Sequence, residues 1–278
     1  MIFKQSVSQL AIASFVISGL LASGLAQAHP RWILPSHFNV SKSDGEWITF
    51  DVTASHGTFV MDKPASAESA SIILPTGQVL RPDHVSRGKR RSVFDFHFVE
   101  TGTHKVTVNS EPVYYTRYKA GKRDTEKWLR ADKVSRLQLL PSNARDISTT
   151  LSVSRVETYI TVGKPSTEAF KLEGKYLELK PITHPADIVA GSPVTFQLYY
   201  QGQPKSGVKA EITRDGTLYR NSQEQIEVTS DEQGKVTFTP VNAGRYIFKA
   251  RHEGPLEGNP LADESGATLH LTFEAVLP

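Results

Sequence analysis

The chain has 278 residues, a formal net charge of +3 and no cysteine. The absence of thiols excludes disulfides, thiolate metal sites, iron–sulfur clusters and cysteine nucleophiles together. At this length hydrophobic cores can form without such staples.

In chain order, the first feature is a leader. Lys4 precedes an apolar run from Leu10 to Ala26, and Ala26-Gln27-Ala28 places small residues where a signal peptidase reads them. The pattern predicts a signal peptide over residues 1–28, cleaved after Ala28, and an exported, periplasmic protein that is soluble and does not span the membrane. Cleavage after Ala26 is the alternative. Losing the leader removes only Lys4 among charged residues, so the mature chain stays nearly neutral. Nucleic acid is not an expected partner, since export separates the chain from it and no basic motif interleaved with aromatics appears.

From Trp47 onward strand signals dominate: "EWITFDVTAS", "ASIILPTGQVL", "SVFDFHFVE", "THKVTVNS" and "PVYYTRYK" are short, rich in β-branched and aromatic residues, and bounded by Gly, Pro, Asp or Ser. In "SVFDFHFVE" the alternation puts Phe94, Phe96 and Phe98 on the core face and Val93, Asp95, His97 and Val99 on the other. "SRGKRRS", residues 86–92, reads as a solvated hairpin connection within a basic region. "DTEKWLRADKVSRLQLLPSNA" is the one stretch where a helix is expected, capped by Asp124 or Thr125 and ended by Pro141.

"ISTTLSVSRVETYITVG" then predicts a long strand pair, and 163–174, with its Gly, Pro, Ser and Thr, predicts a linker. Seven strands follow: "KYLELKPI", "PVTFQLYYQ", "VKAEITRD", "EQIEVTSD", "KVTFTPV", "RYIFKARHE" and "ATLHLTFEAVL", joined by turns such as "DGT", "DEQG" and "NAG". They fit an immunoglobulin-like sandwich. The expected architecture is all-β, two β-sandwich domains, with an N-terminal β-sandwich over 29–165 and an Ig-like sandwich over 173–278.

Chemistry has few places to reside. There is no G-x-S-x-G, H-E-x-x-H, Walker or G-x-G-x-x-G motif, so no catalytic residue is assigned. Only Met61 remains as methionine after processing, and a transition-metal site must therefore use imidazole, carboxylate or the amino terminus. A mature terminus at His29 would offer its α-amine and ring nitrogen to one ion. Pro30 has no backbone N–H and cannot compete as the next, deprotonated amide ligand. One more imidazole, from His37, His56 or His97, would complete a three-nitrogen site for a divalent ion such as Cu(II), Ni(II) or Co(II). A second candidate site, at the junction of the two halves, is "ITHPAD", where His184 and Asp187 either bind something or shape a turn feeding the next strand. His84, His104, His252 and His270 read as ordinary loop or strand residues.

"AHPRWILPS", "RSVFDFHF", "SRVETYITVGKPS", "LELKPITHPADIVAGSPVTFQLYYQGQPKSGVKAEITRDGTLYRN" and "TSDEQGKVTFTPVNAGRYIFKARHE" together resemble a bacterial exported family of unknown function described as a periplasmic component of cobalt and nickel transport, the NikM-like nickel-uptake family. The resemblance spans essentially the whole mature chain. It implies a two-domain β protein of the periplasm associated with transition-metal uptake, its second domain similar to the transthyretin-like or carboxypeptidase-regulatory-like sandwiches, with membrane or outer-membrane transport components as partners. His29, Trp32, Pro35 and Ser36 match the family's amino-terminal motif, and His184, Pro185 and Asp187 match its "THP-x-D" segment, where the family commonly has Asn at the place of Ala186. Three functional readings stay open: a non-catalytic metal-binding protein, a copper-dependent oxidative enzyme of histidine-brace type with Tyr114, Tyr115 or Tyr118 nearby, and a metal-free structural or adhesive tandem sandwich.

Overall fold

The computed structural model describes residues 30–278, so His29 and the leader lie outside the described residues. Strands of four residues or more are β1 (Arg31–Pro35), β2 (Glu46–Ala54), β3 (Ala70–Ile73), β4 (Ser92–Phe98), β5 (Gly102–Val108), β6 (Val113–Ala120), β7 (Thr125–Leu129), β8 (Arg145–Val162), β9 (Leu177–Pro181), β10 (Val194–Tyr200), β11 (Lys209–Arg214), β12 (Ile226–Thr229), β13 (Lys235–Phe238), β14 (Gly244–Pro255) and β15 (Glu264–Ala275). The all-β expectation holds, and each of the seven segments read in the second half overlaps one of these strands.

Among the described residues the strands form three sheets. One joins β1, β2 and β4 over the first half, and another joins β9, β10 and β13 over the second. The largest runs through both halves in the order β12, β11, β14, β15, β8, β5, β3, with β6 also on β8 and β7 on β6. Each smaller sheet covers part of the large one. One core holds Ile33, Ile48, Phe50, Phe94, Phe98 and Ile160, and the other holds Phe196, Phe238, Phe248, Leu269, Leu271 and Phe273. Phe94 and Phe98 are buried and Phe96 is partly so, as the alternation in β4 requires.

Three local readings change. Where a strand pair was expected, β8 is a single strand of 18 residues. No Gly, Pro or Asn occurs between Arg145 and Val162 to turn the chain. It borders β6 along its first part, where Val113 faces Ser152, and β5 along its last, where Tyr159 faces Lys105. Where a helix was expected at Asp124, residues 125–129 pair with β6 as β7, Arg117 opposite Trp128. Within this stretch α-helix is confined to one turn, α1 (Arg136–Leu139), introduced by the Asp132 carboxylate accepting the Val134 and Ser135 N–H groups at 2.8 and 2.7 Å. The β-branched and aromatic residues of 125–129 satisfy their backbone on a strand neighbour, which a helix end there would not supply. Finally, the segment 163–174 carries a 3-10 turn at Glu168–Phe170 whose Ala169 and Phe170 are buried.

The "SRGKRRS" connection is a hairpin, with Gly88 N–H on the Arg91 carbonyl at 2.9 Å and Ser86 opposite Val93.

Charges are buried where the halves meet. Glu157 takes Lys105 and Arg155, each at 3.3 Å, and Arg155 also reaches Glu173 at 2.9 Å. Lys105, Arg155 and Glu157 are all buried. Glu178, buried as well, accepts the N–H groups of Glu173, Gly174 and Lys175 at 2.7, 2.8 and 3.0 Å. Removing one member strands the others' charge away from water. Arg155→Ala should lower the urea unfolding free energy by about 3–5 kcal/mol, whereas Arg117→Ala, which breaks the surface pair with Glu126, should cost no more than about 1 kcal/mol.

Two histidines are buried neutral. Burial lowers His104 to about 4, and burial followed by the charges of Lys249 and Arg31 lowers His270 to about 3. Unfolded, each ring takes a proton near the ordinary value of about 6.5. The unfolded state therefore binds more protons below that pH, and the contribution of these rings, complete above it, is lost as pH falls through the window from about 6.5 toward the folded values. The unfolding free energy from urea titration should fall between pH 7 and pH 5, by up to about 1.4 kcal/mol per pH unit for each ring, and His270→Leu should flatten the fall.

Candidate functional site

β1 runs antiparallel to β2 with Arg31 opposite Ala54, and the ladder extends one residue further as Ser55 N–H donates to the Pro30 carbonyl at 3.1 Å. This fixes the backbone that follows position 29 beside the turn that follows β2. In that turn the Ser55 hydroxyl accepts Gly57 N–H at 3.1 Å and Val60 N–H reaches the Gly57 carbonyl at 3.1 Å. A side chain at Gly57 would meet Val60 Cγ2 at 2.8 Å. His56 lies between these anchors.

The opposite wall comes from the second half. In β11 and β14, Ala210, Ile212, Phe248 and Ala250 enter the core, so their alternating neighbours Glu211, Thr213, Ile247 and Lys249 face the other way, toward β1. Trp32, Leu34 and Phe38 pack with Ile247, and the Thr272 hydroxyl donates to the Ile33 carbonyl at 2.6 Å. Between the walls is a cavity of about 200 Å³ lined by Pro30, Trp32, His56, Glu211, Thr213 and Lys249, among others, with Gln223 and Gln225 also on its wall. The Thr217 hydroxyl, near the rim, reaches the Thr58 carbonyl at 3.4 Å.

Within the cavity Lys249 Nζ stands 3.2 Å from a Glu211 carboxylate oxygen. Cross-strand register puts Lys249 between Glu211 and the buried His270. Trp32, on the wall, is buried with no acceptor for its indole N–H among the described residues.

The three histidines considered as partners for His29 are separated. His56 lines the cavity with Pro30. His37 lies past the far end of β1, roughly 20 Å along the strand from Pro30 at about 3.3 Å per residue, with Nε2 at 3.1 Å from Glu46 and Nδ1 at 3.2 Å from the Ser36 hydroxyl. Glu46 is held below the usual carboxylate range, first by the hydrogen bond from Lys42. His97 stacks on Trp47 with ring centroids 5.0 Å apart, at that same far end of β2. Tyr114, Tyr115 and Tyr118 are on β6, away from the cavity wall. Among the described residues no three of His, Asp and Glu converge on one point, so a metal at the cavity needs donors from residue 29 in addition to His56 and Glu211.

His184 has a different task. Its Nδ1 accepts Ala186 N–H at 3.0 Å, capping the 3-10 turn Pro185–Asp187, and its Nε2 lies 3.1 Å from the Ser166 carbonyl and 3.0 Å from the Thr103 hydroxyl. With one nitrogen accepting and the other donating, no lone pair is left for an ion. Thr103 and Ser166 also exchange backbone-to-hydroxyl bonds at 2.9 and 3.1 Å. The ring thus ties β5, the 163–174 segment and the start of the second half together. Asp187 is exposed. Glu211 and Lys249 escaped the sequence reading because nothing local marks them: each is a charged residue on the solvent-type face of an ordinary alternating strand.

No helix among the described residues is long and apolar enough to cross a membrane. No curated protein matches the chain. Among solved structures it is similar to the D0–D1 domain of intimin, at 9% identity over 88% of this chain and 98% of that one with a TM-score of 0.23. It is similar also to the adhesin InvE of Yersinia pseudotuberculosis, at 11% over 86% and 58% with a TM-score of 0.21, and to fibronectin(III)-like modules of Clostridium thermocellum CbhA, at 8% over 88% and 94% with 0.19. Likenesses this distant carry no argument about activity. A family match covers residues 26–254, and its description, a domain of unknown function, makes no mention of cobalt or nickel transport. By that match the chain belongs to the DUF4198 family.

Proposed function

We propose that this is an exported transition-metal-binding protein, which captures a divalent ion at its mature amino terminus and passes it to membrane or outer-membrane transport components. The observation that supports this reading is the shared cavity wall of Pro30, His56 and Glu211. A chain beginning at His29 carries its α-amine and imidazole on the residue bonded to Pro30, within about 3.8 Å of it from Cα to Cα. His56 adds an imidazole and Glu211 a carboxylate. This nitrogen-rich, thiolate-free donor set fits Cu(II), Ni(II) or Co(II), with intrinsic affinity rising from Co to Cu. Of the histidines weighed with His29, His56 is the partner; His37 and His97 are too remote.

Metal supplies charge that organises these donors, and the chain's own residues do the rest. Pro30, lacking an N–H, keeps the next backbone nitrogen out of the coordination sphere. The α-amine must lose its proton to bind, so affinity falls as pH drops below about 7.7–8.0.

The chain beginning at His29 should bind one Cu(II) or Ni(II) by calorimetry, and metal at 100 times its Kd should stabilise it by about 2.7 kcal/mol. His56→Ala should weaken binding by at least about 10-fold, and a chain beginning at Gln27 should lose the site. Unchanged melting with every metal would contradict the reading in favour of a metal-free tandem sandwich.

A further inference from the structure

Between Val113 and Leu140 the chain carries eight Lys or Arg and three Asp or Glu. The three acids are all committed: Glu126 pairs with Arg117 at 3.3 Å, Asp124 pairs with Arg145, and Asp132 accepts N–H groups of its own turn. Lys119 turns to Asp146 at 2.8 Å, and Lys133 and Arg136 turn to Asp263 at 2.8 and 3.2 Å. Lys122, Arg123, Lys127 and Arg130 remain, all exposed and none in an ion pair among the described residues. They stand on one border of the large sheet. β7 pairs with β6 alone, Lys122 and Arg123 lie in the turn joining those two strands, and Arg130 directly follows β7.

The segment after β7 is turned inside out. Its polar groups are spent inward: the Ala131 carbonyl accepts the Thr116 hydroxyl at 2.9 Å, Lys133 N–H donates to the Leu261 carbonyl at 2.9 Å, and the Arg136 guanidinium donates to the Thr149 hydroxyl at 2.7 Å. Its apolar side chains face solvent, with Val134 62%, Leu137 75% and Leu139 60% exposed. A surface turn ordinarily does the reverse, and apolar side chains gathered in the open mark an interaction site. Trp128, 42% exposed on β7, adds an amphipathic ring beside them in sequence.

We propose that the β6–β7 hairpin and the α1 turn dock on an anionic lipid bilayer, Leu137 and Leu139 entering the interface while Lys122, Arg123, Lys127 and Arg130 meet lipid phosphates. A bilayer surface accepts cations and apolar side chains side by side. Nucleic acid satisfies the cations but leaves the leucines in water. A second copy brings the same uncompensated cations to the contact, where they repel. The surface is built without Pro30, His56 or Glu211, so it stands apart from the metal-binding reading.

The test is cosedimentation of the chain beginning at His29 with vesicles, in the presence of a chelator so that the outcome does not depend on metal. The chain is expected to sediment with vesicles of phosphatidylglycerol and phosphatidylethanolamine, to ignore vesicles of phosphatidylcholine alone, and to be released as salt rises from about 0.1 M to about 1 M. Lys122→Gln with Arg123→Gln should weaken binding on the order of 25-fold, about 5-fold for each charge. Leu137→Ser with Leu139→Ser should weaken it at least about 10-fold. Val79→Ser, at an equally exposed apolar residue on the strand edge beside β3, should leave it unchanged. All of these side chains are exposed, so the variants keep the fold. No sedimentation with the anionic vesicles at low salt overturns the proposal, as does binding that the paired leucine substitutions leave intact. A dimer in solution that Leu137→Ser with Leu139→Ser dissociates overturns it in favour of a second copy.

Discussion

The structure depends on the parallel pairing of β8 with β15. Nine consecutive register pairs, from Thr150 with Glu264 to Thr158 with Thr272, join the last strand of the first half to the last strand of the chain. From Arg155 onward β8 lies between the two cores, Val156, Ile160 and Val162 entering one and Tyr159 the other, and every position to Val162 is buried. That cover also forces polar side chains of β8 inside, and Arg155 and Glu157 are matched there by Lys105 and Glu173. Such a network is a poor source of net stability, since desolvation offsets most of its attraction, but it penalises any register that leaves a member unpaired.

The same ladder determines where β1 lies. With β8 and β15 side by side, the outward face of β14 and β15 is brought against β1, and the Thr272 hydroxyl on the Ile33 carbonyl together with the packing of Trp32 and Leu34 on Ile247 seals the contact. The cavity exists because that packing stops at Pro30. Beyond it, polar residues of β11 and β14 face the turn that carries His56 instead of an apolar neighbour. His184 reinforces the arrangement from the other end by holding Thr103 and Ser166.

Periodicity made most of the strands legible, because alternating apolar residues bounded by turn formers report a half-buried strand whatever its partners. It was least informative where partners decide. In "TEKWL" the residues suit a helix about as well as an exposed edge strand, and only the neighbouring β6 settles the matter. β8 reads as two strands when length alone is considered, since 18 residues exceed the usual strand. At the site, Pro30 and His56 were visible as residue types, but the ladder that sets them on one wall is non-local. Glu211 and Lys249 were invisible for the same reason: their meaning comes from β1 passing over them.

The most direct test of the account is electron paramagnetic resonance of the Cu(II)-loaded chain beginning at His29, which counts the nitrogens bound to the ion. Three are predicted, from the terminal amine, the His29 ring and the His56 ring, falling to two in His56→Ala with His37→Ala and His97→Ala unchanged. A spectrum that His56→Ala leaves untouched, or one that either of the other two substitutions alters, would contradict the site described at Pro30.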